Sequence, residues 1–148
     1  MTKTFKGRPV LAGNVEDTAE VSHYGFSTSA VYIEIVFKGT KSGVCKDGDN
    51  KELYGRDLAG KIICTPQTIG SSSGACMLMA ACEIDVQPKA FLFANHIDSL
   101  ASCGLLMADI WLGKRIVTVD MLGDEFLDAV KTGNKVKVYE DGTVEIED

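Results

Sequence analysis

The sequence predicts an α/β fold with a parallel-sheet core and a β-rich N-terminal part. From Lys61 onward, short apolar runs alternate with helical stretches, the pattern of strand–helix–strand units around a parallel sheet. Upstream, residues 8–12 and 30–37 carry the β-branched and aromatic side chains favoured in strands, with His23-Tyr24-Gly25 in a turn between them. A length of 148 residues suits one domain with its own core, so residues 1–148 are expected to fold as a single unit.

The elements follow in order. Residues 38–56 scatter Gly39, Gly43, Gly48 and Gly55 among Lys, Asp and Asn, which predicts a long irregular segment beside a site. Residues 61–65 read as a buried strand. Gly74–Glu83 is apolar nearly all round and so predicts a helix packed into the core, followed by a strand over residues 90–93. Asp98 can cap a second helix through Met107, and residues 116–119 form the third strand. Asp124 and Glu125 favour the start of a last helix, with Lys131 near its end and Gly133 able to stop it in the left-handed conformation. Residues 135–139 and 143–146 flank Asp141-Gly142, a hairpin turn.

Composition excludes several function classes. The hydrophobic share of 45% and charged share of 24% are those of a globular protein, not of a disordered chain. A net charge of -6 with dispersed Lys and Arg offers no strip for a phosphate backbone, so no nucleic-acid partner is expected. The longest apolar stretch, residues 75–82, is too short to span a bilayer, and residues 1–6 lack the apolar core of a signal peptide. A cytoplasmic protein without a membrane partner is expected. The five cysteines are odd in number and lack Cys-x-x-Cys spacing, and four sit among apolar neighbours, which predicts reduced, buried thiols and no metal site in this chain.

Chemistry concentrates in Thr65-Pro66-Gln67-Thr68-Ile69-Gly70-Ser71-Ser72-Ser73-Gly74, between a predicted strand and a predicted helix. Small residues let backbone approach a ligand, and the N–H groups of a helix start attract a carboxylate or phosphate. The same residues fit a plain helix cap equally well. A Walker loop is excluded, because Ala75 stands where Lys is required. Gly70-x-Ser72-x-Gly74 matches the serine-hydrolase elbow in form, but only His96 follows it, and residues 66–69 separate strand from loop. The third possibility is a loop that donates a serine to chemistry organised elsewhere. His23 and His96 fit turn, packing or capping roles, and Arg56 and Arg115 are carboxylate binders by chemistry and surface residues by position.

Leu53-Tyr-Gly-Arg-Asp-Leu-Ala-Gly-Lys-Ile62, Pro66, Gly70-Ser71-Ser72-Ser73-Gly74, Pro88-Lys89-Ala90 and the 97–107 helix, in that order, resemble the small swivel subunit of the aconitase X family over residues 7–120. Members of that family include dehydratases of mevalonate 5-phosphate and of cis-3-hydroxy-L-proline. The resemblance implies an aconitase-like swivelling β/β/α domain and a hydro-lyase active only as a heterodimer with a large aconitase X subunit. The iron–sulfur cluster would sit on that large subunit, with no cofactor bound by this chain. It further implies that Ser71 is the proton acceptor and that Gly70, Ser72, Ser73 and Gly74 contact a small anionic hydroxy acid, with cis-3-hydroxy-L-proline the expected substrate and mevalonate 5-phosphate the alternative. A non-catalytic anion-binding module is the rival reading. Ala75 replaces a second serine found in many members, and His23-Tyr24-Gly25 replaces a Trp-Gly-Gly type turn.

Overall fold

The computed structural model describes residues 1–70 and 72–148. Three four-residue strands, β5 (Ile62–Thr65), β7 (Ala90–Phe93) and β8 (Val117–Asp120), are buried at every position. Burial on both faces is what covered parallel strands require. β5 pairs in parallel with β7 (Ile62 opposite Ala90), and β7 with β8 (Phe91 opposite Thr118). β3 (Val15–Val21) joins the other side of β5 in parallel, Ala19 opposite Ile62.

Antiparallel strands extend this core at both ends. β2 (Arg8–Leu11) pairs with β8, with its register shifted between Pro9 and Leu11. β9 (Lys135–Val138) pairs with β3, β10 (Thr143–Glu147) with β9, and β1 (Thr2–Lys6) with β10. The full order is β1-β10-β9-β3-β5-β7-β8-β2. The two-residue strands β4 (Phe26–Ser27) and β6 (Thr68–Ile69) form a separate parallel pair.

Alternation along the strands divides the interior in two. Ile62, Cys64, Ala90, Leu92, Val117 and Val119 pack with Val136, Val138, Val144 and Ile146, and with Phe126 of α4 (Asp124–Ala129). Ile63, Phe91 and Phe93 face the other way, onto α1 (Thr28–Lys38), α2 (Gly74–Glu83) and α3 (Ser99–Leu112). The layers are therefore β, β and α, the fold class expected from the sequence.

Some local expectations are corrected. Residues 30–37 are not a strand; they lie in α1. Its buried Thr28, Val31, Tyr32 and Ile35 recur at helical spacing. The Ser27 hydroxyl accepts from the Ala30 N–H at 3.2 Å, and Gly39 closes the helix at φ 64. β-branched residues lower helix propensity by only about 0.5 kcal/mol each, so caps and packing outweigh them. α3 runs on to Leu112 and ends at Gly113, φ 65, beyond the expected Met107. Gly133 does have positive φ, but α4 has already ended at an extended Val130, and the Gly133 N–H instead bonds the Ala19 carbonyl at 2.9 Å. Among the described residues, no helix is long and apolar enough to cross a membrane.

Candidate active site

Because β3, β5, β7 and β8 run in parallel, their C-terminal ends share one edge, where open α/β sheets bind ligands. Backbone hydrogen bonds tie the segments leaving that edge: Ser22 N–H to Cys64 C=O at 3.0 Å, Asn95 N–H to Pro66 C=O at 2.9 Å and Met121 N–H to Asn95 C=O at 3.1 Å. The irregular stretch following α1 also packs here. The Asn50 amide oxygen accepts from the Ser22 hydroxyl at 2.9 Å, and Glu52 accepts from the His23 N–H at 2.7 Å.

The serine loop crosses this edge between β6 and α2. Gly70 precedes it, exposed and at φ +148. Ser71, the expected proton acceptor, lies outside the described residues. Ser72 is exposed in a turn. Ser73 occupies the N-cap position of α2, yet its side chain makes no capping bond; its hydroxyl lies 2.9 Å from that of Ser29 on α1. Gly74 is buried, and a Cβ there would stand 2.5 Å from the Thr28 hydroxyl. Glycine is thus required where α2 starts against α1.

Thr68, at the loop's approach, donates its hydroxyl to Asp98 Oδ2 at 2.7 Å, while Asp98 Oδ1 accepts from the Ala101 N–H at 2.7 Å and caps α3. The loop therefore stands where the N-termini of α1, α2 and α3 meet; α1 and α3 are capped by Ser27 and Asp98, and α2, whose N-cap Ser73 makes no capping bond, is the start whose N–H groups and dipole favour an anion. Thr68, Ile69, Gly70, Gly74, Asp98 and Leu100 line a small cleft there.

Several other polar residues singled out by type have structural partners, although the buried Thr65 hydroxyl at the end of β5 and the Asn50 amide nitrogen have none among the described residues. Asp120, fully buried at the end of β8, accepts from Arg8 Nε at 2.9 Å, Arg8 Nη2 at 2.6 Å and the Ile97 N–H at 2.9 Å. The Asp120 carboxylate raises the Arg8 pKa, by hydrogen bonding first and charge second. His96 Nε2 lies 3.2 Å from Arg8 Nη2. Arg56 pairs with the buried Glu20, which raises its pKa in the same way. Arg115 forks onto Asp109 at 2.9 and 2.7 Å, outside the loop. Sequence reasoning missed Thr68 and the Arg8–Asp120 pair. A carboxylate closing the apolar run 116–119 was the available signal for the second. Among the described residues, no group of three or more His, Cys, Asp or Glu side chains could hold a metal ion.

The description of the aconitase X swivel domain matches residues 4–146. The chain belongs to that family. The swivel domain is 28% identical over 142 residues to the phosphomevalonate dehydratase small subunit of Aeropyrum pernix, covering 96% of this chain and 92% of that one. The subunit of the same name from Archaeoglobus fulgidus is 32% identical over 107 residues, 72% of this chain and 74% of the relative. Among solved structures, the swivel domain superposes on the holo-form of Thermococcus kodakaraensis aconitase X with a TM-score of 0.82 at 26% identity, covering 99% of both chains. A UPF0107 protein solved by NMR gives 0.79 at 27% identity, covering 99% of this chain and 100% of that one. The Ala75 departure falls on packing: Ala75 is buried, and a Cβ on Gly104 of α3 would meet its carbonyl oxygen at 2.8 Å.

Proposed function

We propose that this chain is the small subunit of a hydro-lyase that removes water from a small anionic hydroxy acid, with Ser71 as the proton acceptor. The observation that carries the reading is the placement of Gly70 and Gly74, the two ends of the serine loop, at the meeting of three helix N-termini on the carboxyl edge of the sheet. Ser71 takes the proton from the carbon beside the substrate carboxylate, the double bond forms, and the hydroxyl leaves. A serine serves as a base only if its alkoxide is stabilised by N–H donors in a water-poor setting, and the start of α2, where Ser73 makes no capping bond, is the source of such donors in this reading. Gly70, Ser72, Ser73 and Gly74 hold the substrate anion in this reading. The exposure of Gly70 and Ser72 supports closure by a large partner subunit. In this reading the iron–sulfur centre is held by that partner.

Mevalonate 5-phosphate is the first substrate to test, since the curated relatives are named for it. The second is cis-3-hydroxy-L-proline, the substrate expected from the resemblance of the sequence to the family. The test is co-expression with the large partner and assay on both compounds. Ser71→Ala should lower turnover by about 100- to 10,000-fold with substrate affinity changed much less. Normal turnover in an assembled Ser71→Ala enzyme overturns the mechanism. Loss of anion binding without any catalytic defect in the Ser71→Ala variant points instead to a binding module.

A further inference from the structure

We propose that Asp98 and Thr68 are positioning residues for the serine loop, fixing the strand that leads into Gly70 so that Ser71 meets substrate at one depth. This rests on the assignment of Ser71 as the base.

Asp98 divides its two oxygens between two tasks. Oδ1 accepts from the Ala101 N–H at 2.7 Å, which is all that capping α3 requires. Oδ2 reaches across to the Thr68 hydroxyl at 2.7 Å, thirty positions earlier in the chain. Capping does not call for that second bond. Thr68 is 6% exposed, so its hydroxyl is committed to the protein interior. β6 is only two residues long and, among the described residues, pairs only with β4, Phe26 opposite Thr68 and Ser27 opposite Ile69, while the residues before it are tied by Phe26 N–H to Gln67 C=O at 2.8 Å and Asn95 N–H to Pro66 C=O at 2.9 Å. One charge-assisted side-chain bond is therefore a large share of what fixes it. Beyond the loop, the Ser29–Ser73 hydroxyl contact and the close fit of Gly74 to Thr28 hold the start of α2 against α1. The approach is thus pinned to α3 and the far end to α1, with residues 70–73 between.

One substitution breaks the Thr68–Asp98 bond while sparing the cap: Thr68→Val removes the donor and leaves Asp98 capping α3. Thr68→Ser keeps the hydroxyl. In the full-length chain, hydrogen exchange over residues 69–74 should quicken at least about tenfold in Thr68→Val, with α3 amides unchanged. In the assembled enzyme, kcat of Thr68→Val should fall at least about tenfold with KM within about twofold, since a small misplacement of a reacting group is costly. Thr68→Ser should restore both readings. Unchanged exchange over residues 69–74 overturns the proposal, as does an unchanged kcat in an enzyme that is active as wild type. If the wild-type complex turns over neither substrate, the hydro-lyase reading fails, and the exchange measurement on the chain alone still decides whether Thr68 and Asp98 fix the loop.

Discussion

Cys45, Cys64 and Cys82 are buried, while Cys76 and Cys103 are exposed. Loss of hydration disfavours a thiolate, so burial raises the Cys45 and Cys64 pKa values and pushes Cys82 up to about 11. Since the thiolate is the reactive form, iodoacetamide at pH 8 should modify the folded chain at Cys76 and Cys103 only, and all five cysteines after denaturation. Mass spectrometry of the native adducts checks this; rapid labelling of Cys64 would show that the sheet interior opens. At this scale the sequence was informative where chemistry is local. The glycine and serine spacing of residues 70–74 is visible in one line of sequence, as is Asp98 as a cap. Thr68 was not legible, because what distinguishes it is a partner thirty residues away, and Arg8 finds Asp120 across 112 positions.

Element boundaries follow from caps more than from propensity. α2 agrees with its expected limits, since Gly74 and Glu83 bound a continuous apolar run. α1 defeats a reading by propensity, because Ser27, Gly39 and the burial stripe on its inner face are worth more than the β preference of Val31, Ile33, Ile35 and Val36. The close pairing of α2 and α3 gives a test. Gly104 meets Ala75 backbone, and a Cβ would lie 2.8 Å from the Ala75 oxygen and 3.0 Å from its Cα. Alanine improves intrinsic helix propensity by about 1 kcal/mol, but backbone cannot step aside as a side chain can. Gly104→Ala should therefore lower stability by about 1–3 kcal/mol, read as a fall in Tm. A raised Tm would mean that the helices separate without loss.

β3 belongs to two regions at once: β5 lies parallel on one side of it and β9 antiparallel on the other. Ala19 and Val21 sit in the core between the β layers, while the same strand pairs with β5, whose Ile63 faces the helices. The two interiors should consequently unfold together. Under denaturant, the slowest-exchanging amides of α2 and of β9 should converge on one opening free energy, and separate limits would show two independent units. Whole-molecule topology was only half visible beforehand. The parallel core declares itself as apolar runs of four residues buried on both faces, whereas β1 and β3 carry Lys3, Lys6, Glu16, Asp17 and Glu20 without a strand's alternation and pair with strands more than a hundred residues away.

Synthesis on the ribosome makes that distance consequential. β3 emerges early, and its second edge has no neighbour until Lys135–Val138 is made. Val136, Val138, Val144 and Ile146, which close the inter-sheet core, are translated more than a hundred residues after β3. Until they are made, the nascent chain carries an open strand edge above an uncovered apolar face, the combination that invites aggregation and engagement by chaperones.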